Sequence, residues 1–185
     1  MKFCSNCGHN VRFAIPEGDD RSRYLCDACG AIHYQNPRIV AGTLPIRDGR
    51  ILLCRRAISP RMGYWTLPAG FMENAETTLE AAARETREEA CAEVEIHDLY
   101  TLIDLPHINQ VYMIFRADLI GDFAAGPESQ EVAMFAEADI PWDELAFPTI
   151  ERTLRHYFHD RRDGVFPLHI GAIGLQDRER YFGSA

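Results

Sequence analysis

The segment Gly70-Phe-Met-Glu-Asn-Ala-Glu76-Thr-Thr-Leu-Glu80-Ala-Ala-Ala-Arg84-Glu85-Thr-Arg87-Glu88-Glu89-Ala-Cys91 carries most of the information in this chain. Its Thr77-Thr-Leu-Glu80 run has capping-box spacing and predicts a helix over roughly 75–91. At about 100° per residue, Leu79, Ala82, Ala83, Thr86 and Ala90 gather on one side, a face expected to pack on a sheet. Glu85, Glu88 and Glu89 gather on another, with Ala81 between them in projection. Like charges three or four apart destabilise a helix by about 0.2–0.5 kcal/mol per pair, so stability alone does not explain the trio. A solvated acidic face balanced by Arg84 and Arg87 is one reading. A carboxylate site for a hard divalent cation such as Mg²⁺ or Mn²⁺ is the other.

Outward from this helix, the chain alternates strands and helices. Arg38 to Ile46 and Ile51 to Arg56 read as strands joined at Asp48-Gly49, and a Gly- and Pro-bearing loop runs from Ser59 to Gly70. Val94 to Leu105, Val111 to Leu119 and Val132 to Phe135 are further strands. Asp139 to Leu145 reads as a short helix and Thr149 to Arg161 as an amphipathic one, while the last twenty residues give no clear pattern. This order indicates an α/β sandwich over 37–185.

Residues 1–36 differ in kind. Cys4-Ser-Asn-Cys7-Gly8 and Cys26-Asp-Ala-Cys29-Gly30 are two Cys-x-x-Cys pairs eighteen residues apart, in a stretch with too few apolar residues for a core. That is the spacing of a Cys4 zinc ribbon, in which the metal is structural because four thiolates leave no open position. His9 and His33 read as bystanders, and the single Cys54 and Cys91 as small core residues.

The composition, with 46% hydrophobic and 25% charged residues among 185, is that of an ordinary globular protein. No apolar run approaches the roughly 20 residues that cross a bilayer, and no secretory leader is evident, so a cytoplasmic protein without a membrane partner is expected. A formal charge of −9 disfavours long nucleic acids as partners. An acidic protein that handles phosphates needs cations to mediate the contact.

The helical segment resembles the Nudix box: Gly70, Glu76, Arg84, Glu85, Glu88 and Glu89 fall at its required places, and Trp65-Thr-Leu-Pro-Ala-Gly70 resembles its usual lead-in. Thr86, Cys91 and Ala92 depart from the pattern; the box normally closes on a glycine that ends the helix. The resemblance implies a Nudix α/β/α sandwich with a mixed sheet, preceded by a small zinc ribbon. It implies that Glu85, Glu88, Glu89 and the Gly70 carbonyl hold Mg²⁺ or Mn²⁺, that Arg84 orients carboxylates, and that Glu76 braces the loop. Family members take their general base from the box or from a later loop, where Glu128 and Glu131 stand.

Nudix enzymes cleave nucleoside diphosphates linked to another group. The Ser-Gln-Pro-Trp-Pro-Phe-Pro-type motif of NADH pyrophosphatases has no counterpart here. Gly63-Tyr-Trp-Thr-Leu-Pro-Ala-Gly70, Ile103-Asp-Leu-Pro106, Gln110-Val-Tyr-Met-Ile-Phe115, Gly126-Pro-Glu-Ser129 and Asp139-Ile-Pro-Trp-Asp-Glu-Leu-Ala-Phe147 are similar to the ADP-ribose/FAD diphosphatase branch. That implies FAD or ADP-ribose as the small-molecule substrate, with a homodimer as in related ADP-ribose hydrolases. Tyr64, Phe71, Tyr112 and Phe147 are candidates to stack on its rings, and Arg55 or Arg61 to pair with phosphate. NADH or cap hydrolysis, with Arg55, Arg56 and Arg61 as a local basic patch, and a non-catalytic sensor are the rival readings.

Overall fold

The computed structural model describes residues 1–174. The tail at 175–185, part of the unpatterned terminus and of the expected 37–185 domain, lies outside the described residues. The chain forms two compact units, Met1–Pro37 and Arg38–Ala185.

The first unit is a three-stranded antiparallel sheet: β1 (Arg12–Ala14), β2 (Arg23–Leu25) and β3 (Ile32–His33), in that order. The turns after each cysteine pair end on Gly8 and Gly30, both at positive φ, whose N–H groups donate to the Cys4 and Cys26 carbonyls at 2.9 and 2.8 Å. These turns bring the thiol sulfurs of Cys4, Cys7, Cys26 and Cys29 within 4.8 Å of one another. Cys4 to Cys29 is 3.7 Å and Cys7 to Cys26 is 3.4 Å, close to the edge of about 3.8 Å expected for four sulfurs around zinc. Against the opposing effect of desolvation, the N–H groups of Asn6 and Cys7 pull the Cys4 thiol down to about 6. The Cys7 thiol, though helped by the His9 N–H, is pushed up to about 12 by the neighbouring sulfurs of Cys26 and Cys29. His33 is not among the clustered ligands, as expected, although its Nε2 lies 3.3 Å from the Cys4 sulfur.

The second unit is built on one mixed sheet. Its elements are β4 (Arg38–Arg47), β5 (Arg50–Arg56), β6 (Trp65–Thr66), β7 (Ala69–Phe71), α1 (Thr78–Ala90), β8 (Glu93–Leu105), β9 (Gln110–Ile120), β10 (Ser129–Phe135), α2 (Pro148–Asp160) and β11 (His169–Ala172). The sheet runs β10-β5-β4-β9-β8-β11, with β6 on β5 and β7 on β4. The β4–β9 and β8–β11 pairs are parallel, and the other neighbours are antiparallel. Period-2 alternation sorts the two faces. Leu44, Leu53 and Ile114 pack with Ile150, Leu154, Tyr157 and Phe158 of α2. Ala41 and Phe115 pack with Ala81 and Ala82 of α1, while Leu52 and Cys54 pack with Ala90 and Ala92. The result is the expected α/β/α sandwich.

Several expectations change in detail. The 59–70 loop contains β6 and β7. The helix expected over 139–145 is two 3₁₀ turns, Glu137–Asp139 and Trp142–Glu144, separated at Pro141, which cannot continue a hydrogen-bonded turn. Helix α1 starts at Thr78 because Ala75 is left-handed at φ 67 and Thr77 is the N-cap, with both bonds of the capping box formed. Its inner face is Ala81, Ala82, Glu85, Thr86, Glu89 and Ala90, whereas Leu79 is 49% exposed. The helix is thus rotated so that two carboxylates face inward.

Thr86, which stands where the box has an aliphatic residue, is fully buried and compensated. Its hydroxyl donates to the Ala82 carbonyl at 2.8 Å and accepts from Thr43 of β4 at 2.6 Å. At Cys91 the helix still ends in left-handed backbone, φ 47 and ψ 36, with the Cys91 N–H bonded to the Arg87 carbonyl. The side chain is consequently exposed, not in the core.

Two predictions follow from these ends of the molecule. Cys91→Gly removes the Cβ from a left-handed C-cap and should raise stability by about 0.5–1 kcal/mol, read from the denaturant midpoint; an unchanged or lower midpoint contradicts the cap argument. Chain purified without chelator should carry about one zinc, and Cys26→Ser should lose it and disorder the first unit while the second unit's amide exchange stays protected. Zinc-free wild-type protein with an ordered first unit would refute the metal assignment.

Candidate active site

Helix α1 lies against β7, and the join is made by residues with no side chain to spare. Gly70 pairs with Ala41 of β4, and a Cβ added there would overlap the Glu85 carboxylate. Gly126 donates its N–H to the Glu89 carbonyl at 3.0 Å, and a Cβ there would overlap the Glu88 backbone. The loop before β10 is therefore clamped to the last turns of α1.

Arg84 is the hub of the charges. Its Nε and Nη2 donate to the two Glu76 oxygens at 3.0 and 2.8 Å, and Nη2 also reaches the Phe71 carbonyl at 3.1 Å. Its Nη1 donates to Glu85 at 2.7 Å and to Glu88 at 3.0 Å. All five guanidinium protons are used. The Arg84 hydrogen bonds, with help from the Glu73 N–H, hold the Glu76 carboxyl down at about 2.

Glu85 and Glu89 behave oppositely. Burial raises both, and neighbouring carboxylates add to it: Glu88 and Glu128 at Glu85, Glu85 and Glu128 at Glu89. Glu89 is pushed up to about 8 by burial and by Glu85 and Glu128, despite the Ala69 N–H at 3.3 Å and the nearby Arg56 charge. Glu85 is raised by burial despite Arg84. Desolvated carboxylates with this much uncompensated repulsion fit a hard divalent cation. Among the described residues only the four cysteines bring three ligand atoms within 4.8 Å; here Arg84 and the Ala69 N–H hold the carboxylates instead.

These groups form one end of a cavity of about 980 Å³. Of the residues expected at the site, it gathers Gly70, Arg84, Glu85, Glu88, Glu89, Glu128, Arg61, Tyr112, Phe147 and Phe71. It does not gather Arg55, Tyr64 or Glu131. Arg55 donates to the Gly63 carbonyl at 2.9 Å and pairs at 3.7 Å with Glu131. Strand alternation is the reason: neighbours on β5 face opposite sides, so only one of Arg55 and Arg56 can face α1. Arg56 does, sharing parity with Leu52 and Cys54, which pack beside Ala90. Its guanidinium donates to the Pro60 carbonyl at 2.8 Å and lies 5.2 Å from the Phe147 ring centre. Counting alternation along 51–56 would have selected it. Tyr64 instead lies under the Arg61 guanidinium, 4.2 Å from its ring centre. His107, Gln110 and Thr149 also line the cavity; Gln110 opens one of the resembling stretches, and no sequence signal marked the other two.

Comparison with known proteins agrees with this geometry. Residues 36–160 match the NUDIX domain and residues 2–35 the Nudix N-terminal zinc ribbon. An ADP-ribose pyrophosphatase of Methanocaldococcus jannaschii is 30% identical over 131 residues, 67% of this chain and 75% of that protein. The NAD-capped RNA hydrolase NudC of Edwardsiella ictaluri is 34% identical over 140 residues, 75% of this chain and 50% of that protein. This chain thus spans about half the length of that relative. A solved Nudix hydrolase of Nitrosomonas europaea, 53% identical, superposes with a TM-score of 0.91 over 94% of this chain and 99% of its own. An ADP-ribose pyrophosphatase from Streptococcus suis, at 18% identity and TM-score 0.61, shares the fold. No helix among the described residues is long and apolar enough to cross a membrane. The carboxylate helix, its arginine hub and the sheet beneath them make this chain a member of the Nudix hydrolase family, with an N-terminal zinc ribbon.

Proposed function

We propose that this hydrolase cleaves the diphosphate bond of ADP-ribose or FAD, releasing AMP with ribose 5-phosphate or FMN. The observation that carries the reading is the single cavity that joins the buried carboxylates of α1 to the rings of Phe71, Tyr112 and Phe147, with Arg56 in its wall. Its volume, near the upper end of the roughly 300–1,000 Å³ of ligand pockets, suits a dinucleotide-sized substrate.

In this reading Glu85, Glu88, Glu89 and the Gly70 carbonyl hold Mg²⁺ or Mn²⁺. Bound there, the cation supplies charge neutralisation of the diphosphate and a more acidic water. Arg84 positions Glu85 and Glu88 and does not itself touch substrate. Glu128 lines the same cavity close enough to raise both buried carboxyls, and its carboxylate accepts the proton of the attacking water. Glu131, beside Arg55 and not among the residues lining the cavity, supports this choice of Glu128. Water adds to one phosphorus, the bridging P–O bond breaks, and the freed phosphate leaves on the other half. Arg56 and Arg61 pair with phosphate oxygens, while Tyr112 and Phe147 offer stacking worth about 0.5–1.5 kcal/mol per ring.

A second reading, hydrolysis of NADH or of an NAD cap on RNA, draws support from the NudC relatives. The chain's charge of −9 weighs against extended RNA.

Two measurements test the proposal. Glu89→Gln should lower kcat by about a hundredfold or more at saturating Mg²⁺, while the thermal midpoint of the metal-free protein does not fall above about pH 8, where a repelling buried charge is lost. Near-normal turnover in that variant would remove the metal assignment. At one pH and one metal, kcat/KM should be higher for ADP-ribose or FAD than for NADH, a nucleoside triphosphate or capped RNA. A preference for NADH or capped RNA selects the second reading, and tight ADP-ribose binding without hydrolysis selects a sensor.

A further inference from the structure

A second cavity, of about 680 Å³, is walled by α2, β8 and β11 and shares no lining residue with the carboxylate cavity. Its ionisable groups are basic. Arg152, Arg155 and His156 lie at i, i+3 and i+4 on α2, one helix face, and His169 faces them from β11. The His156 and His169 rings stack at 3.8 Å between centres, 14° from parallel.

Two acids nearby among the described residues are already engaged. Glu151 accepts from Arg155 at 2.6 Å, and Asp160 accepts from His169 at 2.6 Å and from the Tyr100 hydroxyl at 2.7 Å. Arg152 is half-buried, and among the described residues its hydrogen bond is to a neutral group, the Ala172 carbonyl at 2.9 Å. A partly desolvated guanidinium without a carboxylate is unfavourable, and an anion would relieve it. Burial, with the adjacent His169 and Arg152, holds the His156 imidazole below its usual range despite the Asp160 charge. In a chain of net charge −9, this concentration of cations is local and against the general trend. Ile103 and Leu168 give the same cavity an apolar wall.

We propose that the α2–β11 cavity binds the phosphate group of a small phosphorylated molecule, held by Arg152 and His156, with the rest of the ligand against Ile103 and Leu168. The site is separate from the hydrolytic one and does not depend on which diphosphate is cleaved.

The test is imidazole NMR on the full zinc-loaded chain without added divalent cation, with the His156 and His169 signals assigned through His156→Gln and His169→Gln. Inorganic phosphate and glycerol phosphate should shift both signals saturably, equally well in a Glu89→Gln background. Arg152→Gln should raise the phosphate Kd about tenfold or more, the loss of one charge-assisted hydrogen bond, and Arg152→Lys should restore part of it. Sodium chloride producing the same shift at equal ionic strength would reduce the effect to screening and overturn the proposal. Acetate binding as tightly as phosphate would overturn the ligand class. An unchanged Kd in both Arg152→Gln and His156→Gln would overturn the site itself.

Discussion

Arg84 stands between a loop and a helix whose charges would otherwise drive them apart. Glu76, Glu85 and Glu88 converge on its guanidinium, and the Phe71 carbonyl joins them. A lysine could not replace it, because one ammonium has three donors around a point and not a planar fork. With this hub in place, the loop that carries Gly70 lies directly on the helix that carries Glu85. That approach is possible only because Gly70 has no Cβ. Glu89, outside this hub, and Glu85 within it then sit desolvated, with Glu85 and Glu128 raising Glu89 further, an electrostatic state that suits a divalent cation.

The sheet supplies the rigid base for this arrangement. β4 lies at its centre, hydrogen-bonded to β5, β7 and β9, so Gly70 is fixed in register opposite Ala41. The same strand presents Thr43 to Thr86, converting a polar intrusion on the helix into a satisfied pair. Such pairing leaves no orphan hydroxyl in the core, and the helix keeps its close approach. At the far end, Cys91 and the Gly126 clamp stop the helix and return the loop bearing Glu128 to the cavity.

The two units are stabilised by different physics. The second buries a continuous apolar core on both faces of its sheet. The first has three strands of two or three residues and exposes Phe3, Phe13, Ile15 and Tyr34. Its four cysteine sulfurs converge to a cluster that could hold a metal ion in place of an apolar core.

Features set by local spacing were legible in the sequence. The capping box, the carboxylate face of α1, the paired cysteines, and the strands at 38–46, 51–56, 94–105 and 111–119 each follow from near-neighbour periodicity, which a linear chain displays directly. The faces of β5 were equally readable, yet alternation had to be counted to choose Arg56 over Arg55. Other features depend on contacts between distant segments. Leu79 was expected inside but is exposed, because the sheet beneath α1, not the helix's own pattern, sets its rotation. Glu128 and Glu131 were indistinguishable in sequence; strand pairing seats Glu131 opposite Arg55 on β5 and leaves Glu128 in the cavity. His107, Gln110 and Thr149 come together from separate elements, and the α2–β11 cavity exists only once a four-residue edge strand docks beside β8. Spacing along the chain determined which chemistry this protein carries. Only the packing of remote segments decided which glutamate and which rings face it, since side-chain direction at those positions is set by register and docking, and not by neighbours in sequence.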